Sequence, residues 1–122
     1  MSALTTESGS ASVNPDLASV HKQLISIVAA LDAAVGRATT GAEVTALLDE
    51  IAEVNARVTS VGRQLFTQQT AQIKAKSEAV AAAADDAKKV IAELKDVKAL
   101  VQGVTKFLAV VDKAVDAAKV VI

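Results

Sequence analysis

The chain has 122 residues, enough for one domain. Hydrophobic residues make up 52% and aromatic ones 2%, with one His, one Pro, one Met and no Cys. That composition excludes a disulfide scaffold and a thiolate metal or redox centre. It also leaves nucleic-acid stacking without its side chains, and a formal charge of −1 gives no basic footprint for DNA or RNA.

Residues 1–13 are mostly Ser, Thr, Ala and Gly, too polar and small to bury a face, and read as a flexible tail. Asn14-Pro15-Asp16 is a helix start: a capping amide, a proline with no amide to lose, and an acid at the positive end of the helix dipole. A helix over 14–35 follows. Leu17, Val20, Leu24, Ile27, Leu31 and Ala34 recur at intervals of 3, 4, 3, 4 and 3, and Ile25, Val28 and Val35 widen the stripe. Gly36 suits a left-handed C-cap, and Thr40-Gly41-Ala42-Glu43 matches a capping box. The short connection between them predicts an antiparallel hairpin.

The second helix begins near Gly41, with Val44, Leu47, Ile51, Val54, Val58, Val61 and Leu65 as its seam. Residues 67–79 keep helix-compatible side chains but only Ile73 as a large apolar one. An alanine ladder, Ala71, Ala75, Ala79, Ala83 and Ala87, follows at four-residue spacing. It suits either close helix approach or simple helix propagation. The sequence predicts one helix over 41–102, about 93 Å long at 1.5 Å per residue.

The sharpest pattern is the last seam: Val90, Leu94, Val97, Val101, Val104, Leu108, Val111, Val115, Ala118 and Ile122. Its alternating intervals of 4 and 3 are those of a coiled coil. Its phase is offset by one residue from the earlier seam, because Phe66 rather than Leu65 extends it backwards in sevens through Ile73, Val80 and Ala87. Gly103 interrupts it, so the segment 104–122 either continues the long helix or folds back at Gly103. A break at Asp85-Asp86 is the weaker alternative. The expected fold is therefore all-α: a single domain over 14–122, in which an antiparallel hairpin leads into a very long helix as an elongated bundle or coiled coil. Helix 14–35 covers only the first third of such a helix. The last seam then needs a partner, because a long apolar stripe in water is a liability.

The charge is unevenly placed. Residues 1–61 hold three basic and seven acidic residues, and residues 62–122 hold ten basic and seven acidic ones. Solvated helix faces look this way, but the asymmetry also suits head-to-tail association or approach to an anionic surface. No catalytic residue, cofactor-binding residue or metal ligand set is expected. His21 flanks the first stripe and reads as a boundary residue. Asp49-Glu50 and Asp85-Asp86 point about 100° apart on a helix. Asp112 and Asp116 share a face bordered by Lys113 and Lys119. No phosphate-binding loop, nucleophile elbow, zinc-protease helix or EF-hand loop is present.

Ten association-seam residues thus carry the functional expectation. The chain reads as a non-enzymatic structural or interaction protein working by helix–helix association, most simply as a homo-oligomer. A helical protein partner, for which it is an adaptor or chaperone, is the further alternative. Neither nucleic acid nor a small-molecule substrate is expected. The amphipathic stretch Val104–Val115, with lysines on its polar side, resembles helices of α-helical pore-forming toxin components, and the Ala-rich whole resembles granule-coating phasins. Both resemblances rest on composition and periodicity, imply a lipid-surface role, and carry no site residue. No transmembrane segment is expected, because Asp32 ends the uncharged run Gln23–Leu31. Without a secretory leader, residence in the cytoplasm is the default expectation, with export by a signal-less route left open.

Overall fold

The computed structural model describes residues 12–94 and 96–120. The expected tail therefore lies almost wholly outside the described residues, as does Ile122. Four α-helices and no strand occur among the described residues: α1 (Pro15–Val35), α2 (Gly41–Gly62), α3 (Ala71–Glu93) and α4 (Val97–Lys119). They form a helical bundle. The single helix expected over 41–102 is corrected to two helices and the start of a third, with breaks at 63–70 and 94–96. The chain reverses at neither Gly103 nor Asp85-Asp86, since α4 runs through the first and α3 through the second.

Each start is a side-chain cap. Asn14 Oδ1 accepts from the amides of Asp16 and Leu17, both at 3.0 Å. Thr40 Oγ1 accepts from Glu43 N at 3.1 Å, while Glu43 Oε1 accepts from Thr39 N at 2.7 Å. Thr70 Oγ1 accepts from Ile73 N, and Asp96 Oδ1 from Lys98 N. These caps satisfy amides that have no carbonyl one turn back.

The ends differ from expectation at Gly36, which lies at φ −65° rather than in the left-handed region. Tightened turn bonds finish α1 instead, with Arg37 N donating to Ala34 O at 3.0 Å and Ala38 N to Val35 O at 3.2 Å. The left-handed cap falls on Leu94, at φ 45° and ψ 40°, whose amide donates to Val90 O.

The packing places the helices in the ring order α1, α2, α4, α3, with α3–α4 the most extensive contact and α2–α4 the thinnest. The hairpins α1–α2 and α3–α4 are antiparallel. The chain crosses the diagonal of the bundle between α2 and α3, so α1 lies parallel to α3 and α2 parallel to α4. Cross-links at matching ends record this: Ser77 Oγ donates to Asp16 O, Arg37 Nη2 to Ile91 O, and Gln64 Nε2 to Val115 O.

The diagonal crossing is held by Asn14, which is nearly fully buried. Its amide N donates to Leu65 O at 2.7 Å and its Nδ2 to Thr67 O at 2.9 Å. Asn14 thus caps α1 and pins residues 65–67 beneath it. Asn14→Ala is expected to cost about 2 kcal/mol, combining a lost cap with a partly buried carbonyl left without its donor. Asn14→Ser keeps the cap acceptor but is too short to reach Thr67 O, and should cost less. Urea unfolding midpoints of the two variants check the order.

The main core runs the length of the bundle. Val20, Leu24, Ile27, Leu31 and Ala34 of α1 meet Leu47, Val54 and Val61 of α2, Val80, Ala84, Ala87 and Ile91 of α3, and Leu100, Val104, Phe107 and Val111 of α4. Leu17, Ile73, Ala117 and Ala118 form a smaller cluster at the end where α1 and α3 begin. The alanine ladder does not stay on one face. Steps of four residues advance 400° in a helix of 100° per residue, so each rung turns 40°. Ala71, Ala75 and Ala79 are exposed, Ala83 is half-buried, and Ala87 is buried.

Candidate helix-association surface

The association seam divides at Leu94. Val90 lies on α3, Leu94 caps it, and Val97 to Ala118 lie on α4. Val90, Leu94, Val97 and Val101 are half-buried, whereas Val104, Leu108, Val111, Val115 and Ala118 are buried. The gradient follows from the mismatch between a 3.5-residue repeat and a 3.6-residue helix, which drifts about 20° per heptad. The buried row of α4 also includes Leu100, Phe107 and Ala114, which the heptad reading passed over. Their own spacing with Val104, Val111 and Ala118 (4, 3, 4, 3, 4) is the signal that marks them.

The seam packs against its own chain. Phe107, Val104 and Val111 sit in the common core, and α3 passes Gly103 at ordinary van der Waals range: a Cβ built there would meet Val90 Cβ at 3.5 Å. α2 covers α4 less completely. A groove of about 620 Å³ runs between them, with Leu108, Ala109 and Thr105 on one side and Ala52, Glu53 and Arg57 on the other. A second hollow of about 410 Å³ continues it past Arg57 and Asp112 towards Val115 and Lys119.

One forked pair bridges the groove. Arg57 Nε and Nη2 donate to Asp112 Oδ1 and Oδ2, both at 3.1 Å, and Nη1 donates to Glu53 Oε1 at 2.8 Å. Bonding to Asp112 above all holds the guanidinium in its charged form, against partial desolvation. Both carboxylates remain substantially exposed, so the bridge sets geometry more than it stabilises.

Glu50 lines the same groove. Desolvation first, then the neighbouring charges of Glu53 and Asp49, push its carboxyl above the ordinary value. An acid raised on folding binds its proton more tightly in the native state. Its ionisation therefore removes stability as pH rises from the unfolded pKa through the folded one. Glu50→Gln is expected to raise stability at pH 7 and to change little below about pH 4, where both states are protonated. Thermal unfolding at the two pH values checks this. Glu43 has the opposite sign: hydrogen bonds, led by that from the Thr39 amide, lower its carboxyl, and its contribution is lost as pH falls.

The remaining singled-out residues do not converge. His21 is half-buried beside Gly62, with Nε2 3.6 Å from where a Cβ would stand. Asp85 and Asp86 are both exposed in mid-α3. Asp112 pairs with Arg57, while Asp116 approaches Lys119 at 4.0 Å. Among the described residues no three His, Asp or Glu side chains gather as a metal site. Large apolar side chains are exposed at Val13, Ile25, Leu48, Phe66 and Val120. By length and composition alone α1 is long and apolar enough to cross a membrane, and its apolar stripe packs in the bundle core.

No family model, curated protein or solved structure matches the chain.

Proposed function

We propose that the chain is a non-enzymatic helical protein that works by helix–helix association, with a second copy of itself as partner. One observation carries the reading. The seam Val97–Ala118 finds its complementary surface within the same chain, on α3 and, more thinly, on α2. Every copy therefore carries a surface that fits any other copy's α4 once its own α4 leaves it. The thin α2–α4 contact leaves both helices less enclosed on the side where they face each other.

Sedimentation equilibrium at two concentrations a hundredfold apart tests the reading. A mass that rises with concentration, with unchanged helicity by circular dichroism, supports it. A monomer at both concentrations overturns it. The ten seam residues, rather than any catalytic group, are the positions on which association depends.

A lipid surface is the second reading, favoured by the uncharged run Gln23–Leu31 of α1, on which Ile25 is 49% exposed. Co-sedimentation with anionic and neutral vesicles separates the two: binding without a concentration-dependent mass favours lipid.

A further inference from the structure

We infer that the chain pairs with a second copy by straightening at Leu94, so that α3 and α4 become one helix and each copy's α4 packs on the other's α3. The inference rests on the self-association reading and names its mechanism. Leu94 is the only non-glycine residue with positive φ among the described residues. An L side chain in that region carries a penalty of roughly tenfold in the equilibrium constant. The turn is short, and from Val90 to Gln102 the sequence contains no Gly, Pro or Asn to favour it.

The half-buried flank of α3 and α4 points the same way. At the diagonal crossing between α2 and α3 the seam steps by one residue, from Leu65 to Phe66, as expected where a chain leaves one helix and starts another. At 94–96 the fully buried rows step by one residue too, from the run ending at Ile91 to the run starting at Leu100, but the half-buried flank beside them does not. Val90, Leu94, Val97 and Val101 keep intervals of 4, 3 and 4, so a straight helix would carry an unbroken stripe through the turn.

Geometry then fixes the partner. A straight helix over 71–119 spans about 74 Å and takes α4 away from its own α3. That contact is the most extensive in the bundle. Two straight chains lying antiparallel restore it twice, along with the Arg57–Asp112 bridge and the Gln64–Val115 bond, now between copies. α1, α2 and α3 stay together in each copy through α1. The result is a closed pair with twofold symmetry, formed by exchanging an element rather than by creating a new surface.

The test uses the chain's lack of cysteine. Val90→Cys with Gly103→Cys places two Cβ atoms about 3.5 Å apart across α3 and α4, within the span of a disulfide. Dimer and monomer fractions are separated by size exclusion, oxidised, and run on a denaturing gel without reductant. The expected result is a covalent dimer from the dimer fraction and a cross-linked monomer from the monomer fraction. Cross-linked monomer alone from the dimer fraction overturns the exchange while leaving self-association standing. A chain that is monomeric throughout overturns both.

Leu94→Gly gives an independent reading, needing no new bond. Glycine removes the left-handed penalty from the hairpin and weakens the straight helix. The dimer dissociation constant is expected to rise about a hundredfold, tenfold for each of two chains. An unchanged constant overturns the inference.

Discussion

Phe107→Ala is expected to remove about 3–5 kcal/mol of stability. Phe107 is fully buried on α4, in the core shared by all four helices. It is the larger of very few bulky groups in a core built from Val, Leu, Ile and Ala. Neighbours that small have little reach to collapse into the space a ring leaves. A domain of this size has about 5–15 kcal/mol in total, so the variant should be partly unfolded at modest urea. Phe66→Ala is the control. Phe66 is 65% exposed in the crossing segment, and its loss should change stability by less than about 0.5 kcal/mol. Equal shifts in the two urea midpoints would contradict the burial assigned to the two rings.

Val111→Asp should be more damaging than any single truncation. Val111 is fully buried, and a carboxylate there has no hydrogen-bond partner and no water. The loss is expected to exceed about 4 kcal/mol, with most helicity gone by circular dichroism. Leu94→Asp, on the same seam, should behave differently. It is half-buried in a left-handed turn, a conformation that Asp tolerates better than Leu, so lost packing is offset by relieved backbone strain. The expected loss is at most about 1 kcal/mol, with helicity retained. If Leu94→Asp unfolded the chain as Val111→Asp does, the turn at 94–96 would be wrong.

The contrast between these two positions shows how far the sequence could be read. The inward stripe of α1 was fully legible, because Leu17 to Ala34 follow a 3.6-residue period between an Asn-Pro start and a glycine. The α1–α2 turn was legible for the same reason. The two later turns carry less of it: Gly62 ends α2, but no glycine or proline stands between Glu93 and Val97. Thr70 caps α3 without an acid or amide at the position that would complete a capping box, and Leu94 occupies a glycine's conformation. The crossing did leave one trace, the one-residue step between Leu65 and Phe66, which is what a displaced helix axis does to a running phase. The turn at 94–96 left a step of the same size, between the buried runs ending at Ile91 and starting at Leu100, hidden under the flanking heptad of Val90, Leu94, Val97 and Val101. The heptad reading of α4 failed by drift: the half-buried Val97 and Val101 fit the repeat as well as the buried Val111, while Phe107 does not.

The diagonal crossing also settles where the ends of the helical framework lie. α1 begins and α4 finishes at the same pole, across the bundle diagonal from each other. With neighbouring helix axes about 10 Å apart, that diagonal is about 14 Å. Five or so extended residues bridge it. A circularly permuted chain, joined there and opened between α3 and α4, would keep every helix and every packed pair. It would lack the one covalent connection whose straightening lets α4 reach another molecule. Chain order and three-dimensional packing are thus separable in this protein, and the permutant would isolate what the connection contributes.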